Sequence, residues 1–127
     1  MEEAIQKLAV ICFFMTGLSH IFQPKAWVEF FIVVREKKEI GAIINGFIHY
    51  PLGAFIVAFH NVWVGIPLVL TLIGYALLLK GLICFVFPKL ALASLNRVSI
   101  ERAWEFVVAG FISVALGCLV LFSLVNK

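Results

Sequence analysis

The chain has 127 residues, of which 64% are apolar and only 13% charged, with a mean hydropathy of +1.13. An ordinary soluble domain carries roughly 25% charge, and one this short has too little interior to hide so much apolar surface, so a soluble globular protein is excluded. The net charge of +3 is small and lies beside the apolar stretches, where basic residues set membrane orientation, and it gives no sign of a nucleic-acid partner.

The first apolar stretch runs over about residues 4–22. It opens on Met-Glu-Glu rather than a basic segment and has no small-residue cleavage site after it, so it reads as a retained membrane helix ending at Gln23-Pro24. His20 lies near its end. Over about residues 25–35, Trp27, Phe30, Phe31 and Val34 recur at i, i+3, i+4 and i+7, the pattern of a short helix lying in the membrane interface. Ile32 and Val33 blur its polar face, which leaves a helix packed on the protein as the alternative.

The second span covers about residues 40–59 and has a polar face of Asn45, His49 and Gly53, followed by His60 and Asn61. Pro51 removes one amide donor and frees the Phe47 carbonyl. In lipid a freed carbonyl needs an internal partner, so this face is expected to meet protein or water. The third span, about 65–87, contains a single charge, Lys80, and closes at Pro88. The fourth covers about 99–125, with Ser99 and Glu101 suited to its N-terminus. Each has roughly the 20 residues needed to cross a 30 Å core. The expected fold is a single all-α membrane domain: four transmembrane helices in an antiparallel bundle plus a short interfacial helix.

Basic residues set the orientation. Lys25, Arg35, Lys37, Lys38, Lys89, Arg97 and Arg102 fall on one side, against Lys7 and Lys127 on the other. The positive-inside rule therefore predicts cytoplasmic first and third connections and both termini outside. Trp27 and Trp104 then belong to the inner interface and Trp63 to the outer one.

A lysine near a helix centre costs roughly 2.5–3.5 kcal/mol on insertion scales, so Lys80 needs a partner or a route to water. At 1.5 Å rise per residue it lies about 10 Å in from Phe87, and Glu105 about 9 Å in from Ser99. Matched depth on consecutive helices predicts a Lys80–Glu105 pair. The alternatives are a snorkelling lysine and a pairing of Glu105 with Arg102 three residues away. After Glu105, the small residues Ala109, Ser113 and Gly117 follow at four-residue steps. They predict a close helix–helix contact, between subunits of a homo-oligomer or within one subunit. The outer turn, His60 to Gly65, reverses the chain. Asn61 is expected to bond carbonyls ending the second helix, Trp63 to anchor at the headgroups, and His60 to cap the helix or relay protons.

Cys12, Cys84 and Cys118 lie in apolar stretches at unrelated spacings, which supports neither a zinc site nor a disulfide framework. No nucleotide loop, HExxH, nucleophile elbow or paired catalytic carboxylates occur. Almost no chain lies outside the spans to form a soluble-substrate pocket, so an enzyme is not expected, and no cofactor is implied.

His60-Asn61-Val62-Trp63, Thr71-Leu72-Ile73-Gly74-Tyr75, Leu79-Lys80-Gly81 and Pro88 together resemble the HN-x-W, T-x-x-G-aromatic, K-G pattern of a family of small bacterial four-helix integral membrane proteins. The likeness covers about residues 41–88, with Tyr75 where that pattern has tryptophan. It implies the same topology and a bacterial inner-membrane location, singles out His60, Asn61, Trp63 and Lys80, and names no reaction. Gly17-Leu18-Ser19-His20 followed by Pro24 is similar to the first helix of DoxX-like proteins.

Three functions fit this reading. The first is a homo-oligomer binding or conducting protons, ions or a small solute through a polar interior of Lys80, Glu105, His49, Asn45 and His20. The second is a non-catalytic accessory subunit of a larger membrane complex. The third, a haem anchor, requires His20 and His49 at one depth, whereas helix counting puts His20 near the surface and His49 well inside.

Overall fold

The computed structural model describes all 127 residues. It contains six helices: α1 (Glu2–Phe22), α2 (Pro24–Glu36), α3 (Lys38–Phe59), α4 (Pro67–Val86), α5 (Pro88–Leu95) and α6 (Trp104–Val125), with a 3-10 turn at Ile100–Arg102 and no strand. Pro24, Pro67 and Pro88 each stand in the first turn of a helix, where a missing N–H has no intrahelical partner to lose. Pro51 sits inside α3 without ending it.

Four of these segments are long and apolar enough to cross a membrane, with mean hydropathies from 1.5 to 2.5. Only 25 of the 127 residues are buried, while Ile11, Met15, Leu72, Phe111 and Val125 stand exposed on the outside. An apolar exterior on so thin a core needs lipid as its solvent. The molecule is an all-α integral membrane bundle.

The spans associate as two pairs, α1 with α6 and α3 with α4. Glycines set both crossings. A Cβ on Gly110 would lie 2.6 Å from the Gly17 carbonyl oxygen, and one on Gly53 would lie 2.6 Å from the Leu78 amide nitrogen. At such distances only glycine lets the backbones meet. The pairs are locked together at the end that carries both chain termini, where Ile5, Ala9, Val10 and Phe13 pack with Ile56, Leu70 and Val120. Glu3 bonds Lys7 at 2.9 Å and approaches Lys127 at 3.7 Å, so both termini meet at that end. Toward the opposite end the pairs part, and α2 and α5 pack across the opening.

Several expectations change. In the stripe of Ala109, Ser113 and Gly117, α1 lies against Ser113 and Gly117, which are therefore not free to form a subunit interface, while Ala109 is exposed. Ser113 Oγ donates to the Phe13 carbonyl at 2.8 Å, and a Cβ at Gly117 would touch Phe13 and Phe14. Helix α2 is docked on the bundle, with Val28 and Val34 buried and Arg35 donating to the carbonyls of Leu95 and Val98 at 3.0 and 2.9 Å. The third connection holds α5, which has no counterpart in the sequence reading. Ser99 makes no side-chain cap, and α6 starts at Trp104 after the 3-10 turn.

Candidate functional site

Where the helix pairs part, three cavities adjoin. A chamber of about 410 Å³ lies between the pairs, walled by Cys12, Phe13 and Thr16 of α1, Ile48 and Leu52 of α3, Leu77 of α4 and Ser113 of α6. A vestibule of about 290 Å³ lies beside it, lined by Lys80, Ser94, Arg97, Arg102 and Glu105. His20, Phe31, His49 and Ala109 line both and mark the junction. A third, shallow cavity of about 420 Å³ opens between α1, α2 and α3 at Ser19, Ala26 and Phe30, and shares Trp27 and Ile48 with the chamber.

The two junction histidines are held alike. His20 Nδ1 lies 2.7 Å from the Thr16 carbonyl and His49 Nδ1 2.9 Å from the Asn45 carbonyl. A carbonyl only accepts, so Nδ1 carries a proton in each ring, and neither Nε2 has a protein partner. His20 is also stacked between Trp27, at 4.4 Å between ring centroids, and Phe106, at 5.6 Å. Trp27 is fixed in turn by donating Nε1–H to Ser19 Oγ at 2.8 Å.

Counting from helix ends misplaces His49. Gly46 sits beside Cys84 and Phe85, and Tyr50 beside Gly81, so α3 begins about two turns beyond the end of α4. His49 therefore lies only about one turn, or 6 Å, inside that end. Both histidines meet at the same cavities, and the depth objection to pairing them falls.

The expected Lys80–Glu105 pair is absent. Glu105 is taken by Arg97, whose Nη2 lies 2.7 Å and Nε 3.2 Å from Oε1, with Arg102 at 3.9 Å. The carboxylate beside Arg97 raises the guanidinium above its ordinary value. Arg97 wins because the short connection returns it over the start of α6, a closure invisible in a depth count. Lys80 belongs to none of the ion pairs or side-chain hydrogen bonds. Three cations to one carboxylate leave the vestibule with a net charge of +2. Sequence reasoning missed Arg97 as a site residue, although an arginine eight residues before an intramembrane glutamate was a usable signal. It also missed Thr16, Trp27 and Phe106.

The remaining polar candidates lie elsewhere. Asn45 is 2% exposed, its Oδ1 has no partner, and it lines none of these cavities. His60 is fully buried at the terminal end. Thr71 Oγ1 donates to the Val62 carbonyl at 2.8 Å, so it accepts from His60 Nδ1–H at 3.1 Å, and His60 Nε2 accepts from Gln6 Nε2 at 3.0 Å. This network needs a neutral ring, and burial holds His60 below the usual imidazole value of 6.5. Asn61 donates to the Val57 carbonyl at 2.9 Å, and Trp63 packs on Tyr75. Of the motif residues, His60 bonds Thr71 and Trp63 packs on Tyr75 around the outer turn, and only Lys80 of that pattern reaches the vestibule.

No family model, curated protein or solved structure matches this chain. No three metal-ligating side chains gather in one place, and the three cysteines are free.

Proposed function

We propose that the protein is a non-catalytic bacterial inner-membrane binding protein that takes up an anion in the vestibule from the cytoplasmic side, with both termini outside. The observation that carries this reading is Lys80, a cation on a membrane-spanning helix that lines the vestibule and belongs to no ion pair. An unpaired ammonium within a membrane span is costly, and a bound anion lowers that cost. The excess of basic residues at the α2 and α5 end supports its cytoplasmic placement. Binding fits better than an open pore, since the packed core of Phe13, Ile56 and Val120 closes the chamber toward the other end. The site lies within one subunit, and the small-residue stripe lends no support to a homo-oligomer.

Thermal unfolding in neutral detergent at low ionic strength tests this with acetate, phosphate and decanoate. At least one anion should raise the midpoint of the native protein and fail to raise that of Lys80→Met. If no anion shifts it, or Lys80→Met responds equally, the reading is wrong. The free Nε2 atoms of His20 and His49 at one junction support a second reading, a haem held between them. Absence of a Soret band after reconstitution with haemin eliminates it.

A further inference from the structure

We infer that the anion is amphipathic: a single carboxylate or phosphate monoester head held at Lys80 in the vestibule, with an apolar chain passing the histidine junction into the chamber. The inference rests on the anion-binding reading and adds the substrate class.

The two chambers differ in chemistry and are continuous. The vestibule has a net charge of +2, whereas the chamber beside it is uncharged and mostly apolar, with Phe13, Ile48, Leu52 and Leu77 in its wall beside Thr16 and Ser113. A free inorganic anion has no use for the second volume. At a share of about 30 Å³ per water-sized group, 410 Å³ holds on the order of a dozen non-hydrogen atoms, the size of a medium-length acyl chain. The volume also lies within the roughly 300–1,000 Å³ of ordinary small-molecule sites.

Geometry supplies the access route. The shallow cavity at Ser19, Ala26 and Phe30 is open to the outside of the bundle beside α2 and meets the chamber at Trp27 and Ile48. An amphiphile already in the inner leaflet can slide its chain in from the side, while its head stays at the level of the basic residues. A soluble anion needs no such lateral opening. Ala109, which lines both chambers, places a small side chain at the junction.

Trp27 lines the chamber and reports its contents. The test uses a Trp63→Phe, Trp104→Phe protein in nanodiscs of zwitterionic lipid, with ω-bromodecanoate as quencher. Saturable quenching of Trp27 is expected, reversed by decanoate or decyl phosphate, with the stronger competitor identifying the head. Lys80→Met should weaken it about tenfold or more, as expected for loss of the charge contact to the head. Leu77→Phe, which shortens the chamber and lies outside the vestibule lining, should weaken it while leaving the Lys80-dependent thermal shift by acetate or phosphate in place. If acetate competes as well as decanoate and Leu77→Phe is silent, the chain does not enter and the inference falls while anion binding stands. If ω-bromodecanol quenches equally and Lys80→Met has no effect, anion binding itself fails.

Discussion

Replacing Gly110 by alanine tests whether α1 and α6 are held by direct backbone approach. The added methyl would lie 2.6 Å from the Gly17 carbonyl oxygen and 3.0 Å from His20 Cβ. Relieving the first contact needs about 0.8 Å to reach 3.4 Å, and since that atom is backbone the helices themselves must part. A gap of that size forfeits a quarter to a half of each dispersion contact along the seam. It also stretches the 2.8 Å Ser113–Phe13 bond beyond hydrogen-bonding length. Overpacking costs about 1–3 kcal/mol and a lost interhelical hydrogen bond in a membrane protein about 0.6–1.7 kcal/mol. The better helix propensity of alanine returns about 1 kcal/mol. The losses win, and a net destabilisation of roughly 1–4 kcal/mol is expected. Equilibrium unfolding by SDS in mixed micelles, followed by far-UV circular dichroism, measures it. Gly117→Ala is the control, because a Cβ there makes only ordinary contacts at 3.4 Å and should be near neutral. A Gly110→Ala change within about 0.5 kcal/mol of the native protein, the range of an unremarkable surface substitution, refutes the account.

Three further predictions concern polar contacts. In double-mutant cycles, Arg97→Gln with Glu105→Gln should show coupling and Lys80→Met with Glu105→Gln should not; coupling of the second pair alone would reverse the assignment. Because the unfolded chain protonates His60 first, stability should be full above 6.5 and fall as the pH drops below it. His60→Gln should flatten that slope in pH-dependent unfolding, and an unchanged slope shows that another group is responsible. Arg35→Ala removes two bonds to carbonyls at the end of α5 and just beyond it. It should cost about 1.5–3 kcal/mol and raise hydrogen exchange across Pro88–Leu95; unchanged exchange there means Arg35 does not hold that helix.

The spans were legible because apolar runs bounded by prolines leave few alternatives, and Lys80, His20, His49 and Glu105 do meet at one set of cavities. What the sequence concealed follows from tertiary offset. The stripe of Ala109, Ser113 and Gly117 marks the right side of α6, but the tightest contact is one residue on, at Gly110, whose partner Gly17 lies in a helix with no matching periodic signal. The partner of Glu105 depended on how a short connection folds back, and α5 hid in that connection as an eight-residue segment. The depth of His49 was misjudged because α3 and α4 do not begin and end level with one another.

The pairing of the first span with the last has a consequence for biogenesis. Phe13 and Ser113, which bond across that pair, are 100 residues apart, and synthesis at roughly 5–20 residues per second separates their appearance by about 5–20 s. Helices α3 and α4 are consecutive and can join as soon as both are inserted. Throughout that interval α1 waits in the bilayer with Gly17 and His20 lacking their contacts with Gly110 and Phe106, a state that an insertase or chaperone must shelter or the lipid must tolerate. Arrival of α6 ends the wait and walls in the chamber in the same step, so ligand capacity should appear only after the last helix is in place.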